Sequence, residues 1–113
     1  MIGRFLWAAL ALGLVAAHGT AHAALNCASL TTVTPDASTI TSAAIVTPPA
    51  TIGGAAVTVP LCRVQGVARP SFDSEIKFEV WLPEASAWNG KFEAVGGGGL
   101  AGIISYPAMS TAV

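Results

Sequence analysis

Four consecutive glycines, Gly96–Gly99, constrain this chain more than any other stretch of its sequence. They follow a turn at Asn89-Gly90 and a short apolar segment, and an apolar stretch leads from them to Gly102. Glycine has no Cβ, so the backbone here can take positive φ values and pass very close to another group. Because ordering such a stretch costs extra backbone entropy, neighbouring structure has to hold it in place.

A glycine-rich junction between a strand and a helix has two chemical uses and one inert alternative. Its backbone N–H groups can cradle a phosphate, because the start of a helix favours an anion. They can instead form an oxyanion hole beside a nucleophile that another part of the fold supplies. The inert alternative is a flexible loop that carries no chemistry.

A sequence motif supports the phosphate interpretation, since Gly97-x-Gly99-x-x-Gly102 matches the dinucleotide-binding fingerprint. A run of glycines produces this match easily, and the acidic residue expected about 20 positions later would fall beyond Val113. A strand followed by Gly-Gly-Gly and an apolar residue is instead what an esterase-type oxyanion loop requires. We therefore predict that the N–H of Gly99, just before Leu100, is the oxyanion donor, with Gly98 as the alternative.

Residues 1–23 are typical of a secretory signal peptide. Arg4 provides the positive start, Phe5–Ala17 form an apolar run too short to span a bilayer as an ordinary helix, and Ala21-His22-Ala23 is a small-x-small cleavage pattern. Cleavage after Ala23 would leave residues 24–113 in a secreted or periplasmic protein with no stable membrane association. An uncleaved membrane anchor is the alternative.

Removal of this signal changes the charge and takes away both histidines, His18 and His22. Four cationic side chains then remain against six anionic ones, a net charge of −2, so we expect no nucleic-acid partner. Without an imidazole the remaining segment holds no Ser-His-Asp or Cys-His centre and no histidine-based zinc site. We predict no metal site within it.

The two cysteines, Cys27 and Cys62, predict a disulfide, because an even number of cysteines in an exported chain is usually oxidised. The bond would close a loop of about 35 residues and stabilise the fold by roughly 3–4 kcal/mol in the chain-entropy model. Two separate buried thiols, or pairing with cysteines elsewhere in a longer protein, are the alternatives.

The hydrophobic pattern predicts mostly strands. Short helical turns are expected at 25–33 and strands at 38–46, 57–59 and 62–68, with Ile40 and Ile45 as the anchors of the first strand and a loop between 47 and 54. Residues 74–82 give the clearest signal, since apolar side chains alternate there with Glu75, Lys77, Glu79 and Trp81. This alternation predicts one covered apolar face and one mostly charged face.

The segment after this strand is expected to deliver the glycines. Residues 91–95 are predicted to pair back on the strand, which would make 74–95 a hairpin. Beyond the glycines, Pro107 suits the first turn of a helix and Ser105 its N-cap.

Several sequence blocks, taken in order, resemble the N-terminal part of the tannase and feruloyl esterase family. They are Leu61-Cys62-Arg63-Val64 with Gly66, Ile76-Lys77-Phe78-Glu79-Val80-Trp81-Leu82-Pro83, Trp88-Asn89-Gly90-Lys91-Phe92, and the glycines with Leu100-Ala101-Gly102. The resemblance covers most of residues 27–113. It implies that residues 24–113 are the leading strands and first helix of an α/β-hydrolase domain that is incomplete in this chain.

The resemblance also implies an activity, that of a secreted serine esterase acting on galloyl, feruloyl or terephthaloyl esters. In this family the catalytic serine, acid and histidine lie far downstream, and a large lid domain binds calcium and the aromatic acid. The chain contains none of these parts, so we expect it to be inactive alone. Many relatives have Asn where Gly97 stands, which predicts a looser loop here.

A small secreted β-rich binding module without catalysis is the competing class. The sequence beyond Val113 separates the two classes. A downstream nucleophilic serine with a later Asp and His would favour the esterase, whereas an in-frame stop with a stable product would favour the module.

Overall fold

The computed structural model describes residues 26–113, so the predicted signal peptide at 1–23 and its cleavage site lie outside the described residues. A 3-10 turn at Cys27–Thr32 comes first, and the later elements are β1 (Ser38–Val46), β2 (Ala50–Ile52), β3 (Ala55–Val57), β4 (Leu61–Ala68), β5 (Ile76–Pro83) and α1 (Tyr106–Ala112). Strands β1, β4 and β5 form an antiparallel sheet in that order, and β2 and β3 form a separate hairpin. The described part is therefore mostly β-strand with one short helix.

The 3-10 turn is stabilised by its own polar side chains and by the disulfide. The side chain of Asn26 accepts a hydrogen bond from the N–H of Ala28 at 3.1 Å, which caps the first turn. Cys27 is bonded to Cys62 on β4, with their Cα atoms 5.7 Å apart. The predicted disulfide is thus present, and it holds the turn on one face of the sheet.

A β-bulge in β1 decides which of its side chains share a face. Ile40 pairs with Gly66 and Ser42 with Gln65, so the register shifts at Thr41. Side chains alternate along a regular strand, so Ile40 and Ile45 would otherwise lie on opposite faces, and the bulge brings them to the same one. Ile40 packs against the core, but Ile45 is 59% exposed and is not the predicted anchor.

Each face of the sheet carries its own hydrophobic cluster. On the first, which we call the disulfide face, the cluster consists of Cys27, Cys62 and Val64. On the second, the helix face, the hairpin β2–β3 and helix α1 cover β4 and β5, and the cluster consists of Ile52, Val57, Leu61, Trp81 and Met109. The side chains of Leu61 and Val57 are fully buried, which makes the helix-face cluster the tighter of the two.

The two faces of β5 are not covered as predicted. Ile76 and Leu82 on the apolar side are exposed, whereas Trp81 on the supposedly charged side is buried. The side chain of Glu79, also on the helix face, is only 2% exposed. The prediction of one covered apolar face and one charged exposed face is wrong, because α1 and the β2–β3 hairpin, both distant in sequence, pack over Trp81.

The predicted pairing of residues 91–95 with β5 is also wrong, because these residues form no strand. The turn before them uses the backbone groups that a ladder would need. The N–H of Lys91 donates to Oδ1 of Asn89 at 2.9 Å, and its carbonyl accepts from Nε1 of Trp88 at 2.9 Å. Val95 instead packs against the helix-face cluster.

Candidate functional site

The glycine loop, residues 96–105, connects two anchors in the helix-face cluster. Val95 packs there just before the loop, and Ile104 and Tyr106 pack there at its end. The two arms of the loop approach closely at Gly97, where a Cβ would lie 3.0 Å from the carbonyl oxygen of Ile103. A larger residue at this position would require the backbone of Ile103 to shift by a few tenths of an ångström.

A tight turn forms the tip of the glycine loop. The N–H of Ala101 donates to the carbonyl of Gly98 at 3.3 Å, which closes the turn over Gly99 and Leu100. Gly99 has a φ of 59°, a left-handed conformation that costs a glycine nothing. The side chain of Leu100, at the tip of the turn, is fully exposed.

The two predicted oxyanion donors lie in this turn. Within residues 26–113, the N–H groups of Gly98 and Gly99 donate to no backbone carbonyl. A donor that is held in place and has no partner of its own can bind a developing negative charge without first breaking a hydrogen bond. Residues 26–113 contain no group of three or more His, Cys, Asp or Glu side chains that could hold a metal ion.

A buried carboxylate, Glu79 on β5, lies beneath the end of the glycine loop. Its oxygens accept from Nε and Nη2 of Arg63 at 2.9 and 2.6 Å, from Nε2 of Gln65 at 3.1 Å, and from Nε1 of Trp81 at 3.1 Å. The hydroxyl of Tyr106 adds a further hydrogen bond at 3.0 Å. We call these five residues the Glu79 cluster.

The Glu79 cluster is charged at neutral pH. Burial disfavours the ionised form of Glu79, but hydrogen bonds from Arg63, Trp81 and Tyr106 outweigh burial and lower the pKa of the carboxyl group. The hydrogen bond to Glu79 raises the pKa of the Arg63 guanidinium. Burial and then the hydrogen bond to Glu79 raise the pKa of the Tyr106 phenol, which therefore stays protonated and donates.

Aromatic packing fixes Tyr106 in addition to this hydrogen bond. Its ring stacks on Trp81 with centroids 6.3 Å apart, and the guanidinium of Arg63 lies 5.9 Å from the Tyr106 centroid. The ring also lies against Gly53 in the β2–β3 turn, where any Cβ would overlap it. Tyr106 thus contacts both the sheet and the hairpin.

The predicted site residues lie in two separate places. Gly98 and Gly99 are at the tip of the glycine loop, whereas Cys27 and Cys62 lie on the disulfide face, away from the helix-face cluster that anchors the loop. The sequence pattern did not indicate the Glu79 cluster, because a glutamate that alternates with apolar residues is typical of an exposed face. The one available signal was Trp81, a large apolar residue on that same face.

Comparison with known proteins identifies relatives among the esterases. An uncharacterized esterase of Xanthomonas campestris is 40% identical over 100 residues, which cover 83% of this chain and 17% of the relative. Feruloyl esterase C of Talaromyces stipitatus is 43% identical over 56 residues, covering 50% of this chain and 10% of the relative. A probable feruloyl esterase B-2 of Aspergillus flavus is 44% identical over 54 residues, covering 48% and 10%.

No family model and no solved structure matches the chain. Its homologues are esterases. More particularly, they include feruloyl esterases of the tannase and feruloyl esterase family, which confirms the resemblance found in the sequence. The chain spans less than a fifth of the length of these curated relatives. No helix within residues 26–113 has the length and hydropathy needed to cross a membrane.

Proposed function

We propose that this chain is the N-terminal segment of a secreted serine carboxylic ester hydrolase of the α/β-hydrolase type, and that its glycine loop supplies part of the oxyanion hole. One observation carries the proposal. The amides of Gly98 and Gly99 have no backbone acceptor among the described residues, and they belong to a loop that is anchored at both ends in the helix-face cluster. The homology to esterases supports the reaction class.

The loop would contribute to catalysis by electrostatic stabilisation of the oxyanion. When a serine attacks an ester carbonyl, the carbonyl oxygen becomes an alkoxide, and an N–H group aimed at it lowers the barrier. Gly99 is the favoured donor, and Gly98 takes its place if the oxygen binds one residue earlier. Because the loop is already anchored, little reorganisation is needed when the charge develops.

The substrate class is an aromatic carboxylic ester of galloyl, feruloyl or terephthaloyl type, supported by the relatives that are named feruloyl esterases. The serine, acid and histidine would come from a longer protein, as would a calcium-binding lid, which rests on family resemblance alone. The disulfide between Cys27 and Cys62 supports a secreted or periplasmic location after removal of residues 1–23.

The test uses a full-length esterase that carries this segment. Gly99→Pro removes the N–H group, and we expect it to lower kcat on a feruloyl ester by about 10²–10³-fold with a much smaller change in KM. Because Gly99 has a φ of 59° and proline requires a φ of about −65°, the proline variant tests the site and not the N–H group alone. Gly99→Ala keeps the N–H group and reports the cost of a side chain at positive φ. An unchanged kcat in the proline variant would refute the oxyanion role of Gly99.

The competing function is a β-rich binding module, which the largely β architecture of the described residues favours. The coding sequence downstream of Val113 distinguishes the two functions. A downstream serine with later Asp and His supports the esterase, and a stop codon together with a stable secreted product supports the module. The 113-residue chain alone is expected to hydrolyse no aromatic ester.

A further inference from the structure

The end of the glycine loop is connected to the edge strand β5 by one buried polar contact. Tyr106 is the first residue of α1 and follows the loop directly. Its hydroxyl donates to Glu79, whose side chain is 2% exposed and also binds Arg63 and Gln65 of β4. This one hydroxyl therefore links the loop to two strands of the sheet at once.

A short path of contacts leads from Tyr106 back to the glycines. The N–H of Tyr106 donates to the carbonyl of Ile104 at 3.1 Å, and Ile104 packs in the helix-face cluster. The preceding residue, Ile103, lies against the backbone of Gly97 in the opposite arm. These contacts would transmit a shift of Tyr106 as far as Gly97, the residue before the turn that contains Gly99.

Apart from the packing of the Tyr106 ring, helix α1 has few contacts that could take over this role. It has seven residues, and its N-cap, Ser105, makes no side-chain capping hydrogen bond. Farther along, Met109 is buried in the helix-face cluster, and Oγ of Ser110 donates to the carbonyl of Ala56 at 2.5 Å. Both contacts lie at least three residues beyond Tyr106, so they hold the helix without holding the loop.

We propose that the hydroxyl of Tyr106, held by Glu79, is a positioning group that fixes the glycine loop with the Gly99 amide aimed at the oxyanion. This inference rests on the proposed function and adds a residue outside the loop to the machinery. Tyr106 touches no reacting atom. It acts by limiting the displacement of a donor whose contribution depends strongly on its placement.

The experiment compares two variants of α1 in the full-length esterase carrying this segment. Tyr106→Phe removes only the hydroxyl, keeps the stack on Trp81, and leaves Glu79 with its hydrogen bonds from Arg63, Gln65 and Trp81. We expect kcat on a feruloyl ester to fall about tenfold while KM changes by less than about twofold. Ser110→Ala is the matched control, because it also removes one hydrogen bond from α1, and it should leave kcat unchanged.

A double variant tests whether Tyr106 acts through Gly99. If it does, Tyr106→Phe should lower kcat far less in a Gly99→Pro background than in the parent, because groups that act as one unit are not additive. The same tenfold loss in both backgrounds would overturn the proposal. Equal losses from Tyr106→Phe and Ser110→Ala would overturn it too, since both would then reflect only a looser helix.

The design separates failure of this inference from failure of the proposed function. If Gly99→Pro leaves kcat unchanged, the oxyanion role of Gly99 itself is wrong. If Gly99→Pro lowers kcat by about 10²–10³-fold but Tyr106→Phe does not lower it, the oxyanion role stands and only the positioning role of Tyr106 is wrong.

Discussion

Replacing Glu79 with glutamine should destabilise the fold in a way that depends on pH. The carboxylate is almost completely buried and accepts hydrogen bonds from four side chains. The Glu79→Gln variant keeps the size of the side chain but leaves the guanidinium of Arg63 without its counter-charge. Removing one partner of a fully buried ion pair costs about 3–5 kcal/mol. The Arg63 side chain is 26% exposed and regains some hydration, so we expect about 2–3 kcal/mol at pH 7.

The pH dependence follows from the lowered pKa of Glu79 in the folded state. A carboxyl group that binds protons more weakly when folded adds stability above its unfolded pKa of about 4.3. That stability is lost as the pH falls through the folded pKa, because protons then bind the unfolded chain preferentially. The glutamine variant has no such titration, so the difference in stability should be full at pH 7 and shrink progressively below about pH 4.3.

The assay is urea unfolding of the full-length esterase that carries this segment, with the disulfide intact, followed by far-UV circular dichroism. The isolated segment is not used, because an incomplete α/β-hydrolase domain is not expected to unfold cooperatively. Glu75→Gln is the control, because Glu75 also pairs with an arginine at 2.8 Å, but both side chains are more than half exposed. Its cost should stay below about 1 kcal/mol. Equal costs at both positions, or a Glu79 effect that is constant from pH 7 to pH 3, would refute the reasoning.

Three further predictions concern the other supports of the fold. Replacing Cys27 and Cys62 together with serine should cost about 3–4 kcal/mol, measured by urea unfolding, and a non-reduced peptide map of the parent should show the two cysteine peptides linked. Gly53→Ala should destabilise more than Gly54→Ala, because both glycines have positive φ but only a Cβ at Gly53 meets Tyr106; equal midpoints would contradict this. The secreted product should begin at Ala24 on N-terminal sequencing, and a membrane-retained chain starting at Met1 would show that residues 1–23 are not cleaved.

Local signals in the sequence predicted the elements whose ends are marked by turn residues. Strand β1 has the predicted bounds, 38–46, because a β-branched run lies between Pro35-Asp36 and Pro48-Pro49. The hairpin β2–β3 was missed although its signal was present. Gly53 and Gly54 have φ values of 55° and 83°, as a two-residue hairpin turn requires, but the flanking strands are only three residues long. A glycine pair in an Ala- and Thr-rich stretch therefore predicted a loop instead of a hairpin.

Burial could not be predicted as well as secondary structure, because it depends on elements far away in the chain. The alternation along β5 indicated correctly which side chains share a face. It did not indicate that the described residues cover the face with Glu79 and Trp81 more fully than the face with Ile76 and Leu82. The bulge at Thr41 could not be predicted either. A single inserted residue moves the later side chains of the strand to the opposite face, and the hydrophobic pattern does not indicate where this happens.

The same distinction explains why the glycine loop was found from the sequence and its support was not. An oxyanion hole built from backbone amides needs residues without side chains, and a run of glycines is easily recognised in the sequence. Holding those amides in place needs a contact between Tyr106 and Glu79, which are 27 residues apart and of types common on any protein surface. A run of glycines can become a precise donor only where the surrounding fold restricts it, so the residues that decide its function lie outside the motif. For this chain, the effect of Tyr106→Phe on kcat would measure how much of the oxyanion stabilisation depends on that distant contact.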